Sequence, residues 1–361
     1  MTTDLPQIQK IYPTLPSMLK KFDRLSRKDA FCGRTVEEFT SWQAQSRKLL
    51  QNLLGLDRME KAPLCPEVTE RIVLSDGIIR ERVLIQTEPD VWMPMVILIP
   101  ENADETTRIF LCPPGHNGAG KFSVAGYENY SLVADKILHY QYDYGMQLAR
   151  LGYVAVCPDA RGFGERRENL NFAHDAQTAL KGDCFLLSHM CEPLGMTVAG
   201  LLVWDLLAAI RYLKERGTWH TSSFGCLGFS GGGMQTLYLS ALCKDIDMAV
   251  ISGYFYGFRD SLLILNSNCS CNYIPHLWEH FDMGDLASLI APRPLWIQSC
   301  RDDRLNGPRG LQNVMEQMDI LQSAYHLLGA DNKLVHEICE GGHSFHREHL
   351  QEHLTRLQNS L

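Results

Sequence analysis

The stretch Gly225-Cys226-Leu227-Gly228-Phe229-Ser230-Gly231-Gly232-Gly233 runs an apolar segment straight into a serine set among glycines. Met234-Gln235-Thr236-Leu237-Tyr238-Leu239 follows at once, with apolar residues at helical spacing. A strand, then G-x-S-x-G, then a helix is the context of a nucleophile elbow, in which the serine stands on a sharp and strained turn. Gly228 and Gly232, two before and two after the serine, approach so closely in such a turn that side chains would collide. The helix N-terminus below the turn offers free N–H groups and a positive dipole end to a developing oxyanion. A serine that merely caps a helix in a glycine-rich turn would share the motif. The strand before and the helix after favour the nucleophile.

Working outward, residues 71–75, 82–86 and 95–99 are β-rich runs in quick succession, with a turn at Ser75-Asp76-Gly77. Such spacing predicts an antiparallel start to a sheet. Strands at 108–112, 153–157, 224–229, 248–252, 294–298 and 333–339 then alternate with helical patterns, notably 196–215, 232–243 and 308–328. This order predicts an α/β fold: a mostly parallel central sheet with helices on both faces and antiparallel N-terminal strands. Residues 1–65 read as an N-terminal helical extension, with a capping box at Thr35 and Glu38 and an apolar stripe of Trp42, Leu49, Leu50, Leu53 and Leu54. Residues 66–361 form the catalytic domain on this reading. Segments 160–195 and 254–285 are too long for simple connections and are candidates for a lid or pocket wall.

A serine nucleophile needs an acid and a base after later strands. Ser299-Cys300-Arg301-Asp302-Asp303-Arg304 follows the strand at 294–298. Asp303 is the expected acid, because it stands further beyond the strand end, and Asp302 is its alternative. Glu340-Gly341-Gly342-His343 follows the last strand, so His343 is the expected general base. His346 is expected to begin the final helix as a solvated residue, and His336 to be structural within its strand. For the oxyanion, the loop Pro113-Pro114-Gly115-His116-Asn117-Gly118 is expected to supply the backbone N–H of His116 or Asn117, joined by that of Gly231. Tyr254, Tyr256, Tyr273 and Trp278 are either pocket wall or core.

Two other patterns suggest different chemistry. Gly115 to Lys121 spells G-x-x-x-x-G-K, but Phe122 stands where a phosphate-binding loop needs a hydroxyl for Mg²⁺. Cys269 and Cys271, with His276 and His280, offer donors of the kind zinc takes. C-x-C is tighter than the usual finger spacing, so a loop near the pocket is the preferred reading and no metal is expected.

Composition narrows the function classes. The 361 residues are 45% hydrophobic and 21% charged, with a formal net charge of −8, which argues against nucleic acid as the main partner. The first residues, MTTDLPQIQK, lack the pattern of a signal peptide, and apolar runs are broken before membrane-spanning length. No membrane association and a cytoplasmic location are the expectation. Cys112, Cys157, Cys226, Cys300 and Cys339 sit in apolar runs and read as small buried hydrophobes rather than disulfide partners.

Residues 113–121, 148–166, 200–213, 227–233, 285–297 and 341–346 together resemble dienelactone hydrolase-like and acetyl xylan esterase-like bacterial α/β-hydrolases. The resemblance spans most of residues 90–350. It implies catalytic roles for Ser230, Asp303 and His343, and structural roles for Arg161 and Glu165 of the DARGFGER segment, as an internal ion pair. Cys300 stands where such proteins usually have glycine, and Arg304 where they have proline after the acid. The expected activity is hydrolysis of a small carboxylic ester, such as an acetylated sugar, without a cofactor. A peptidase or thioesterase with the same triad, or a catalytically inactive binding protein on the same fold, are the alternatives. Assembly as a homo-oligomer is left open.

Overall fold

The computed structural model describes residues 10–168 and 180–361. Nine strands form one sheet: β1 (Glu67–Val73), β2 (Ile79–Glu88), β3 (Val91–Ile99), β4 (Arg108–Leu111), β5 (Val154–Pro158), β6 (His220–Phe229), β7 (Ile246–Ser252), β8 (Leu295–Cys300) and β9 (Leu334–Cys339). Their spatial order is β1-β2-β3-β5-β4-β6-β7-β8-β9. The pairs β1·β2, β2·β3 and β3·β5 are antiparallel, and every pair from β5·β4 onward is parallel. All nine expected strands are present. β6 starts earlier than its apolar run, because the polar residues from His220 to Ser223 extend it toward the surface.

The sheet is buried on both faces, which requires successive residues of a strand to feed opposite cores. Met95, Ile97 and Ile99 of β3 and Ile246, Ala249 and Ile251 of β7 enter one apolar cluster. Val96 and Leu98, with Met248 and Val250, enter the other. Central strands therefore read as unbroken apolar runs. Cys112, Cys157 and Cys226 fill this interior, and all twelve cysteines are free thiols.

The N-terminal helices Leu15–Leu25 and Val36–Leu54 lie against one side of the sheet layer. Thr35 and Glu38 make the reciprocal capping box at the second helix. The buried face of that helix is Phe39, Gln43, Ser46, Leu50 and Leu54, whereas Trp42, Leu49 and Leu53 are only partly covered. Gln43 is buried because its amide donates to the carbonyls of Ser288 (3.1 Å) and Ala291 (2.7 Å). A polar residue is thus part of the stripe, satisfying carbonyls that would otherwise be buried unpaired.

The order of strands sets the site's position. From β4 the chain crosses first to β5 on one side and then to β6 on the other, so a crevice opens beyond the C-terminal ends of β4 and β6. Buried ion pairs brace the loops behind it. Lys121 Nζ lies 2.5 Å from Asp159 Oδ2 and 2.5 Å from Glu165 Oε1, and both Lys121 and Asp159 are fully buried. Glu165 also pairs with Arg82. Arg161 forks onto Asp205 (3.0 Å at each nitrogen) and reaches Glu88 at 2.6 Å. Arg161 and Glu165 therefore do not pair with each other. Arg161 pairs with Asp205 and Glu88, and Glu165 with Lys121 and Arg82. Burial alone would raise the Asp205 carboxyl, but Arg166 and Arg161 outweigh it and hold it at about 2.

Replacing Lys121 by Met leaves the Asp159 carboxylate buried without its cation. The expected cost is about 3–5 kcal/mol, read as a fall in urea midpoint with an unchanged slope.

Candidate active site

β6 ends at Phe229, and the helix Gly231–Leu242 begins one residue later, so Ser230 must turn the chain by itself. It does so at φ 56° and ψ −118°, a backbone conformation that costs a non-glycine residue on the order of 1–3 kcal/mol. Its N–H is fixed to the Ser252 carbonyl at 2.8 Å. A Cβ at Gly228 would lie 2.1 Å from the Gly232 carbonyl oxygen, and one at Gly232 would lie 2.2 Å from that of Pro113. Neither contact is tolerable for real atoms, so glycine is required at both positions.

Ser230 Oγ lies 2.8 Å from His343 Nε2, and His343 Nδ1 lies 2.6 Å from Asp303 Oδ2. With the proton on Nδ1 donated to the carboxylate, Nε2 is free to accept from the serine hydroxyl. Asp303 is 4% exposed, and its second oxygen accepts the Leu305 N–H at 2.8 Å. Asp302 is exposed and contributes only its backbone N–H, to the Gly341 carbonyl at 2.9 Å. The Phe229 ring supports the imidazole from 4.6 Å. The structure thus joins Ser230, His343 and Asp303 in one hydrogen-bonded chain and leaves Asp302 outside it.

The loops carrying the acid and the base are tied together. The Cys300 thiol reaches the Ser344 carbonyl at 3.3 Å, and Asn306 donates to the Cys300 carbonyl at 3.0 Å. Gln298 accepts from the His346 N–H (3.0 Å) and donates to its carbonyl (2.8 Å). His346 therefore belongs to this brace, and the final helix starts only at Leu350. His336 is half-buried in β9, 3.3 Å from the Ser299 hydroxyl, and burial lowers its imidazole to about 4.

The loop after β4 lies beside the elbow. Gly115 packs against Phe229 and the Gly231 nitrogen so closely that a Cβ there would lie 3.2 Å from that nitrogen. Three side chains hold the loop by its carbonyls: Tyr144 at Pro113 (2.5 Å), Gln235 at Pro114 (2.8 Å) and Tyr142 at His116 (2.7 Å). Burial pushes both phenols well above their ordinary range, so they stay protonated donors. The Gly231 N–H opens its helix and has no partner a turn earlier. It and the His116–Asn117 segment face one cavity with Ser230. Lys121, at the end of this loop, spends its charge on Asp159 and Glu165, which leaves it none for a phosphate.

That cavity has a volume of about 760 Å³ and is lined by Ser230, Gly231 and His343 together with residues of both long segments. Lys181 comes from one, and Tyr254, Tyr256 and Asn268 from the other. Residues 169–179 of the first segment lie outside the described residues. Tyr273 and Trp278 pack instead against each other, and Trp278 also against Phe22 and Phe258. Sequence reading missed Tyr140, Lys181 and Arg304 on the cavity wall. The run Tyr140-Gln141-Tyr142-Asp143-Tyr144 was the available signal for Tyr140, since three aromatic residues in a polar loop need something to pack on. His276 pairs with Glu279 and His280 with Asp29, so neither joins Cys269 and Cys271.

The chain belongs to the Abhydrolase family, whose model matches residues 11–334. It is 25% identical over 283 residues to "Putative hydrolase YtaP" of Bacillus subtilis (strain 168), covering 76% of this chain and 86% of that protein. In fold it is similar to a putative acetyl xylan esterase from Bacteroides fragilis (TM-score 0.73, 18% identity, 91% of this chain and 83% of that one). It is also similar to a glucuronoyl esterase from Solibacter usitatus (TM-score 0.62, 15% identity, 93% and 96%).

Gly228→Ala drives a methyl group into the Gly232 carbonyl. It should destabilise the protein by on the order of 2–3 kcal/mol, measurable as a drop in thermal midpoint, whereas the same change at the open Gly342 should cost little.

Proposed function

We propose that this protein is a serine esterase that cleaves a short acyl group from a polar alcohol, such as an acetylated sugar. The observation that carries the reading is the unbroken chain from the buried Asp303 through His343 to Ser230, opening at a polar cavity. His343 Nε2 takes the hydroxyl proton as Ser230 Oγ attacks the ester carbonyl carbon. The negative charge that develops on the carbonyl oxygen is met by the Gly231 N–H and by that of His116 or Asn117. Collapse of the tetrahedral species breaks the bond to the alcohol oxygen, and His343 returns the proton to that leaving group. Water, deprotonated by the same nitrogen, then attacks the acyl-enzyme and releases the carboxylic acid. Asp303 keeps the imidazole in the working tautomer and stabilises its charged form.

The cavity supports a polar substrate. Asn117, Lys181, Asn268, Asn272 and Arg304 on its wall offer hydrogen bonds to hydroxyls, beside the rings of Tyr140, Tyr254 and Tyr256. The names of the structurally similar proteins, acetyl xylan esterase and glucuronoyl esterase, support ester chemistry in the same way. Twelve cysteines, none of them in a disulfide, suit a reducing compartment, and we place the enzyme in the cytoplasm. Among the described residues no single helix is long and apolar enough to cross a membrane.

In a panel of p-nitrophenyl esters from acetate to decanoate, kcat/KM should fall steeply beyond propionate. A preference for long chains would contradict the reading. Asp303→Asn should lower kcat by roughly 10³–10⁴-fold and Ser230→Ala by at least as much, while Asp302→Asn should stay within about two-fold of the parent.

A further inference from the structure

Four donor atoms converge beside the catalytic cavity: His116, Cys184, Cys269 and Cys271, all within 4.8 Å of one another. They come from three distant parts of the chain. His116 is on the loop after β4, Cys184 opens the helix Cys184–Cys191, and Cys269 precedes and Cys271 lies within the short turn Ser270–Asn272 of the segment after β7. His116 Nε2 lies 3.6 Å from the Cys184 sulfur and 3.6 Å from the Cys271 sulfur. In a tetrahedral zinc site, with Zn–N near 2.05 Å and Zn–S near 2.3 Å, the nitrogen-to-sulfur edge is about 3.6 Å. The observed edges match that value.

We propose that His116, Cys184, Cys269 and Cys271 form a structural Zn²⁺ site of the Cys₃His type. All four positions are then protein ligands, so the site is closed to water and does no chemistry of its own. Each thiol gives its proton to solvent as its sulfur binds, and three thiolates on the dication leave a net charge of −1. The surroundings suit that charge. Asn272 Nδ2 lies 3.6 Å from the Cys271 sulfur and also donates to the Cys269 carbonyl at 3.0 Å. The Phe163 ring packs edge-on against the His116 imidazole at 5.1 Å, and Tyr142 holds the His116 carbonyl. The first packs the ring beside the sulfurs, and the second holds the backbone that carries it.

The metal would fasten three walls of the cavity to one another. One of them carries the N–H groups assigned above to the oxyanion, so the expected effect on catalysis rests on the esterase reading, but metal binding does not. Cys269 and Cys271 were visible in the sequence as half a site. Their partners are not His276 and His280, which lie close in the chain, but His116, 155 positions from Cys271, and Cys184.

The test uses the full-length protein, purified under reducing conditions without chelator, with metal content read by mass spectrometry. About one zinc per chain is expected. After chelator stripping, the reduced protein should take up one Co²⁺ and develop the charge-transfer and d–d absorption of a tetrahedral thiolate site. Cys184→Ser and Cys271→Ser should each weaken Co²⁺ binding by more than roughly ten-fold. Cys269→Ser is less buried and provides the same test if the others fail to fold, and the exposed Cys32→Ser should bind as the parent does. Zinc at trace level with no Co²⁺ spectrum from reduced protein would overturn the proposal. Equal binding by the ligand variants, or a disulfide among these three cysteines in the purified protein, would overturn it too. An inactive protein that still binds one zinc would count against the esterase reading alone.

Discussion

The backbone of Ser230, held at φ 56° between a strand and a helix, is the constraint on which the rest of the molecule depends. It is unfavourable in isolation, and it persists because everything around it fits only that turn. Gly228 passes under the Gly232 carbonyl, Gly232 passes under that of Pro113, and the Ser230 N–H is spent on Ser252 of the neighbouring strand. The apolar burial on both faces of β6 keeps the strand from moving to relieve the strain. The result is a hydroxyl raised above the sheet, beside the first N–H groups of a helix, where His343 reaches it from the end of the last strand.

Loops supply the other groups, and they are rigid for identifiable reasons. The loop after β4 is held by its carbonyls through Tyr142, Tyr144 and Gln235, and its residues His116 and Asn117 line the cavity. The loops after β8 and β9 are sewn together by Gln298, Cys300 and Asn306, so Asp303 and His343 keep their distance. Behind them Lys121, Asp159 and Glu165 form an ion-pair cluster with no exposure at Lys121 or Asp159. Such a cluster adds little net stability over an apolar core, but breaking it is expensive, and so it fixes loop conformation.

Much of this was legible in the sequence. The nine strands announce themselves because a sheet buried on both faces needs continuous apolar runs, and the elbow does because only glycine fits beside the serine. Asp303 and Asp302 are harder to separate. Adjacent residues at a strand end point in different directions, and only the burial of Asp303 against His343 distinguishes them. Pairings over long distances in the chain were not legible at all. Arg161 finds Asp205 rather than Glu165, Gln43 finds carbonyls near residue 290, and His116 finds three sulfurs from other segments. Local pattern carries no information about which distant loop a side chain will meet. The cavity wall was hidden for the same reason, since Lys181 and Arg304 become neighbours only once the sheet has assembled.

The central claim is that Ser230 carries the acyl group during turnover. It is tested most directly by acid-quenching the full-length protein within its first turnover of p-nitrophenyl acetate and mapping the peptides by mass spectrometry. The account predicts an acetyl group on Ser230, absent from Ser230→Ala and scarcely formed by Asp303→Asn. Acetate release at the parent rate by Ser230→Ala, or an acetyl group on another residue in its place, would contradict it.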